Sequence, residues 1–186
     1  MQRTVSGQIS RRLFVVLLGN DARGKGTIVN GLLSQGLGQD SPRQKCARQL
    51  TSPFGQTISS VVYIRSYQEY EKAHLHYNVE ESLRNLDSEW NNRQLIIMLS
   101  HVGQQLTKDG EKMICLANSY GFDTIGVPVV LYNDDLEKAS DFLKLDWDER
   151  WTLWNQELND DNVITALCSA LGRDLWARIC RTMFEG

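Results

Sequence analysis

The chain is poor in several things that would mark a specialised class. It has 186 residues but only 3 prolines, 3 histidines and 4 cysteines. The cysteines, Cys46, Cys115, Cys168 and Cys180, show no CxxC spacing, which argues against structural zinc and against a disulfide framework. Cys115 and Cys168 sit among apolar neighbours and read as small buried hydrophobes in a reducing compartment. Excess positive charge is missing too: the net charge is -3, so a general phosphate-gripping surface for DNA is not expected. No apolar run approaches the ~20 residues of a membrane helix, so no membrane insertion is expected. The start of the chain, MQRTVSGQISRR, lacks the apolar core of a secretion signal. Arg3, Arg11 and Arg12 without an acid suit a leader for an organelle matrix, mitochondrion or plastid; the cytoplasm is the other expected compartment, and secretion is not expected.

Buried-looking strands are present. Leu13–Leu18, Gln94–Ser100 and Val127–Tyr132 are continuous apolar runs of strand length, as expected for strands covered on both faces. Helical spacing fills the intervals: a helix from Thr27, a charged one over Val79–Asn92, an amphipathic one over Lys108–Tyr120 stopped by Gly121, and a closing one over Leu171–Phe184. Leu136–Leu158 reads as a helix or helix–turn–helix. Its Trp147, Trp151 and Trp154 would share one face, for core packing or as an aromatic anchor for a partner. Ile58–Tyr67 and Ala73–Tyr77 read as an antiparallel edge hairpin, and Asn162–Leu167 as a last short strand. Gln35–Pro53 reads as a long polar loop, whose Arg43, Lys45 and Arg48 are either solvated or an RNA or acidic-protein contact. The pattern predicts an α/β three-layer fold, its sheet mostly parallel with one antiparallel edge hairpin and helices on both faces. A tail over residues 1–12 and a single domain over 13–186 follow.

One segment carries chemistry. Gly19, Asn20, Asp21, Ala22, Arg23, Gly24, Lys25, Gly26 and Thr27 satisfy GxxxxGK between a strand and a helix. Glycines let backbone N–H groups wrap a phosphate, the helix N-terminus adds positive potential, and the lysine reaches the outer phosphates. The Mg²⁺-binding hydroxyl usually follows the lysine. Here Gly26 stands there, and the hydroxyl comes one place later at Thr27. His101 follows a buried strand, where ligands of open α/β sheets lie. His74 and His76 read as structural residues of the edge hairpin.

Beyond this loop the sequence resembles the GTP-binding domain of the elongation factor Tu family, in order and spacing over nearly the whole chain. Gly19–Thr27 stands where that family has GHVDHGKTT. Gly55–Ile58 resembles its GITI, and 70–78 the strand into HVDCPGH. Glu111–Gly121 resembles its REHILLARQVG helix, Val127–Asn133 the strand into NKCD, and Ser169, Ala170 and Leu171 its SAL guanine loop. The resemblance implies a P-loop NTPase fold with GTP or GDP on Gly19–Thr27, Asn133, Asp135 and Ser169–Leu171, and Mg²⁺ only if Thr27 and Thr57 hold it.

The departures are as informative. Asn78 replaces the family's metal-holding aspartate, and Ser82 stands where the family has its catalytic histidine, so no catalytic residue is assigned. Asp134 replaces the guanine-motif lysine, and the specificity aspartate falls at Leu136, or at Asp135 after a one-residue slip. Glu80 and Glu81 are expected near the γ-phosphate, where they would repel it. Losing a catalytic group commonly costs ~10²–10⁴-fold, and three parts are altered together. The expectation is a degenerate, GTPase-like binding or structural subunit with protein partners, of a ribosome-related, RNA-containing or organellar complex. Its guanine-nucleotide binding would be residual or absent. An active GTPase using Lys25, Thr27, Thr57, Asn133 and Asp135 is the alternative. A small nucleotide kinase is a second one, because Gly24–Thr27 resembles the adenylate-kinase loop, although no arginine-rich lid follows Gln94–Ser100.

Overall fold

A computed structural model describes residues 8–39, 46–71, 78–103, 107–156 and 160–185. Strand β1 (Leu13–Leu18) is wholly buried, and it lies parallel to both β4 (Leu95–Ser100) and β5 (Asp123–Val130). Strand β3 (Thr57–Ser66) runs parallel on the far side of β4, and β2 (Cys46–Thr51) closes that edge antiparallel to β3. The order is β2-β3-β4-β1-β5-β6. Two short strands, β6 (Glu149–Arg150) and β7 (Leu153–Trp154), both pair parallel with β5. The sheet therefore has seven strands, mostly parallel with one antiparallel pair.

Alternate side chains of the sheet go to opposite cores. Leu13, Val15 and Leu17 face helices α1 (Lys25–Leu37) and α6 (Asp161–Phe184). Phe14, Val16 and Leu18 face α3 (Val79–Leu86), α4 (Thr107–Ser119) and α5 (Asn133–Leu143). Full burial of one such side chain is worth ~1.5–3 kcal/mol, so the six-residue run alone justifies two covering layers. The expected three-layer α/β architecture, compatible with a P-loop fold, is the one found.

Helices α1 and α6 touch backbone to backbone. A Cβ on Gly172 would lie 2.1 Å from the Ile28 carbonyl oxygen, and one on Gly31 2.7 Å from Ser169 Cα. Ser10, Arg11 and Arg12, just ahead of β1, are docked on the fold. The Ser10 N–H and hydroxyl both donate to the Met183 carbonyl, at 2.8 and 2.9 Å. Arg11 pairs with Asp123 and Glu149, and Arg12 lies over the Phe122 ring. Among the described residues no helix is long and apolar enough to cross a membrane.

Several expectations need correction. The polar stretch Gln35–Pro53 is not all loop: it holds the end of α1 and strand β2, which supplies the antiparallel edge. Ala73–Tyr77, with His74 and His76, and Arg43 and Lys45 lie outside the described residues, whereas Arg48 is on β2. The tryptophans share no helix, because α5 ends at Leu143. Trp147 is buried in the core under α5, Trp151 in the opposite core, and Trp154 on β7 is 54% exposed. Asn162–Leu167 is the first part of α6, not a strand, with Asp160 as its N-cap. Cys168 is buried as expected, but Cys115 is exposed on the outer side of α4.

Candidate functional site

The parallel strands β1, β3, β4 and β5 deliver their C-terminal ends to one rim of the sheet, where ligands of open α/β sheets bind. The loop between β1 and α1 turns through two left-handed residues, Ala22 (φ 57) and Gly24 (φ 79). Such turns direct successive N–H groups to one side. Gly24 is required twice over. Its φ suits glycine, and a Cβ there would lie 2.7 Å from Cys168 Sγ and 3.0 Å from the Asn155 amide. Asn155, 7% exposed, braces the loop: its Nδ2 donates to the Arg23 carbonyl at 3.2 Å, and its backbone N–H to Val130 at 2.7 Å.

Lys25 opens α1 and is 6% exposed. Its Nζ donates to the carbonyls of Gly19 at 2.6 Å and Asn20 at 2.7 Å. An ammonium has three donors, so one remains for a ligand oxygen. Burial pushes its pKa down from 10.5 to about 8, against the pull of Asp21 and Glu69. Above the loop lies a cleft of about 360 Å³, walled by Asp21–Thr27, Asn30, Ile64–Ser66, Glu69 and Leu99. Glu69 belongs to a short helix, α2 (Tyr67–Glu71), which continues directly from β3. Asn30 Oδ1 is buried without a hydrogen-bond partner. Its residue also borders a second, polar groove between α1 and α6.

The remaining sequence candidates are dispersed. Asn133 is exposed at the start of α5. Asp135, 4% exposed, is engaged through both oxygens. One oxygen accepts the Leu131 and Tyr132 N–H groups at 2.9 and 3.0 Å, and the other accepts Arg23 Nε at 2.9 Å. Burial works against this carboxylate, but the N–H groups of Tyr132 and Leu131 and the Arg23 guanidinium outweigh it, holding its pKa below the usual range. Asp135 thus caps α5 and anchors Arg23, whose guanidinium also lies 5.2 Å from the Tyr132 ring centroid. No oxygen of Asp135 is left over for a base.

Ser169, Ala170 and Leu171 form no loop. They lie inside α6, where Ser169 borders the second groove and Leu171 packs on the core. Thr57 is exposed at the start of β3. Ser60 is level with Leu95 and Leu13, so Thr57 lies about 25 Å from the loop rim at ~3.3 Å per residue. Thr27 does line the cleft. Without Thr57 beside it, the Mg²⁺ donor set implied by the resemblance is not assembled, and these residues do not fit that ion.

Asn78 caps α3, accepting the Glu81 N–H at 2.9 Å while the Glu81 carboxylate accepts the Asn78 N–H. Ser82 is buried on α3, and its carbonyl accepts the Tyr63 hydroxyl at 2.6 Å. Glu80 pairs with Arg84. None of these lines the cleft; the acids that do are Asp21 and Glu69, not Glu80 and Glu81. Glu69 carried no signal in the sequence because 68–72 read as a turn between two strands, and Arg65 none because it stood inside the Ile58–Tyr67 strand.

His101 is brought to the rim. Its Nε2 lies 3.1 Å from Glu69 Oε1 and its Nδ1 3.5 Å from Asp21 Oδ1. Compared with known families and with curated proteins, the sequence matches no family model and no curated protein.

Proposed function

We propose that this chain is a phosphate-loop domain that takes the polyphosphate of a nucleotide, GTP or GDP, and serves as a binding or structural subunit rather than as an efficient GTPase. The observation that carries this is Lys25: a buried ammonium fixed by two loop carbonyls at the start of α1, with one donor unspent above a cleft lined by the loop. Helix N-terminus, curled loop and lysine together favour an anion.

Three features argue against rapid hydrolysis. Gly26 offers no hydroxyl to a metal, Ser82 is packed away from the cleft, and Asp21 and Glu69 place two carboxylates where triphosphate charge would gather. Two like charges ~4 Å apart repel by ~4 kcal/mol at an effective dielectric of 20, so a diphosphate is the better ligand. With Asp135 engaged by Arg23, discrimination between guanine and adenine is weak.

Isothermal titration with GDP, GTP, ADP and ATP, with and without Mg²⁺, tests this. The expected result is GDP binding at least equal to GTP, within about tenfold of ADP, and lost in Lys25→Ala. Sustained GTP turnover that disappears in Lys25→Ala would overturn the non-hydrolytic reading. Silence towards every nucleotide would overturn the phosphate site itself.

A further inference from the structure

At the cleft mouth three side chains from three separate elements converge: Asp21 from the phosphate loop, Glu69 from α2, and His101 from the end of β4. One ligand atom from each lies within 4.8 Å of the others. Around an ion with bonds of ~2.0–2.2 Å, tetrahedral ligands stand ~3.4 Å apart. The Glu69 oxygen, 3.1 Å from His101 Nε2, is already near that spacing, and the Asp21 oxygen lies 3.5 Å from the other ring nitrogen. An ion takes one ring nitrogen, and the two carboxylates address opposite ones, so binding requires one carboxylate to swing round to the other's side. Both are free to move, with Asp21 84% and Glu69 47% exposed, while the imidazole is held at 16%.

The fixed member is fixed by design of its surroundings. The buried Gln68 accepts the His101 backbone N–H at 3.0 Å, and its amide donates to Ser100 Oγ at 2.8 Å and Asp109 at 3.1 Å. This ties α2, β4 and α4 together and holds Glu69 and His101 opposite one another. Such outer hydrogen bonds orient metal ligands.

We propose that Asp21, Glu69 and His101 form a site for a divalent cation of the Mn²⁺ and Zn²⁺ class. One imidazole and two carboxylates suit ions that accept nitrogen. Mg²⁺ and Ca²⁺ prefer all-oxygen shells. Three protein ligands leave coordination positions open, and Asp21 and Glu69 both line the cleft, so a bound ion faces the space where phosphates would sit. It would turn two repelling carboxylates into an anion-attracting centre. The ion needs no nucleotide to bind, so this site stands or falls separately from the phosphate reading.

The test is titration of the intact chain with Mn²⁺ alone, free Mn²⁺ being read by electron paramagnetic resonance, followed by displacement with Zn²⁺, Mg²⁺ or Ca²⁺. One equivalent is expected. Affinity should fall at least about tenfold in each of Glu69→Gln, Asp21→Asn and His101→Ala, and stay unchanged in a His74→Ala/His76→Ala double variant. Zn²⁺ should displace the ion at concentrations at least about tenfold below Mg²⁺ or Ca²⁺. Proton NMR gives a second readout without any variant: of three imidazole signals, Mn²⁺ should broaden that of His101 first. No stoichiometric binding, binding indifferent to Glu69→Gln and His101→Ala, loss only in the His74/His76 variant, or first broadening of another histidine would each overturn the site.

Discussion

Replacing Lys25 by methionine should make the protein more stable. The buried ammonium is held near pKa 8 instead of 10.5. At ~1.36 kcal/mol per pH unit this corresponds to about 3 kcal/mol held against the folded state while the lysine is charged in both states. Below pH 8 the full cost is present. Between pH 8 and 10.5 the folded chain gives up a proton that the unfolded chain keeps, so stability rises with pH. Above 10.5 both forms are neutral and the cost is gone. Two hydrogen bonds, to Gly19 and Asn20, work the other way at ~1 kcal/mol each. Lys25→Met, of similar volume, should therefore be about 1 kcal/mol more stable than the parent at pH 7, and the difference should vanish and then reverse as the pH rises to 10.5. Urea denaturation of both proteins across pH 7–10.5 measures this, since their difference cancels every other titrating group. A Lys25→Met chain less stable than the parent at pH 7, or a difference independent of pH, would refute the picture of a lysine buried at a cost.

Three further outcomes follow from the packing. Gly172→Ala drives a methyl within 2.1 Å of the Ile28 carbonyl and should cost at least about 2–3 kcal/mol, seen as a lowered Tm. Asp135→Asn leaves Arg23 without its partner and weakens the α5 cap; a loss of about 2–4 kcal/mol is expected, with the ratio of GDP to ADP affinity unchanged. A changed ratio would return Asp135 to base recognition. Towards a thiol reagent at pH 8, Cys115 should react quickly, whereas Cys168 and Cys180 should stay protected until unfolding. Burial raises both of these thiols, Cys180 to about 12.

The strands of the sheet centre were legible because both faces are buried, so β1, β4 and the second half of β5 appear as unbroken apolar runs. The turn between β1 and α1 was legible as a strand-to-helix junction because its glycines interrupt the apolar run, and Gly24 does take the left-handed φ of such a turn. What failed to show had competing local signals. Strand β2, CARQLT, has a single buried position among its described side chains, Leu50, and no alternation to betray it. Asn162–Leu167 is rich in β-branched residues, yet the Asp160 cap starts α6 ahead of it and the packing of Ser169 and Gly172 on α1 holds the same helix beyond it. The tryptophan spacing of 4 and 3 mimicked a helix face, although two two-residue strands separate these rings into different environments. Asp135 illustrates the site-level difficulty. An aspartate two residues after Asn133 looks available for a base, and only the fold reveals that Arg23, 112 residues earlier in the chain, has taken its free oxygen.

The central claim is that the Gly19–Thr27 loop takes phosphate charge through Lys25. Calorimetric titration of inorganic pyrophosphate into the parent chain and Lys25→Ala, in metal-free buffer, tests it most directly. Saturable binding at one equivalent in the parent, weakened at least about tenfold in Lys25→Ala, is the predicted result. No binding by the parent, or equal binding by both, would contradict it.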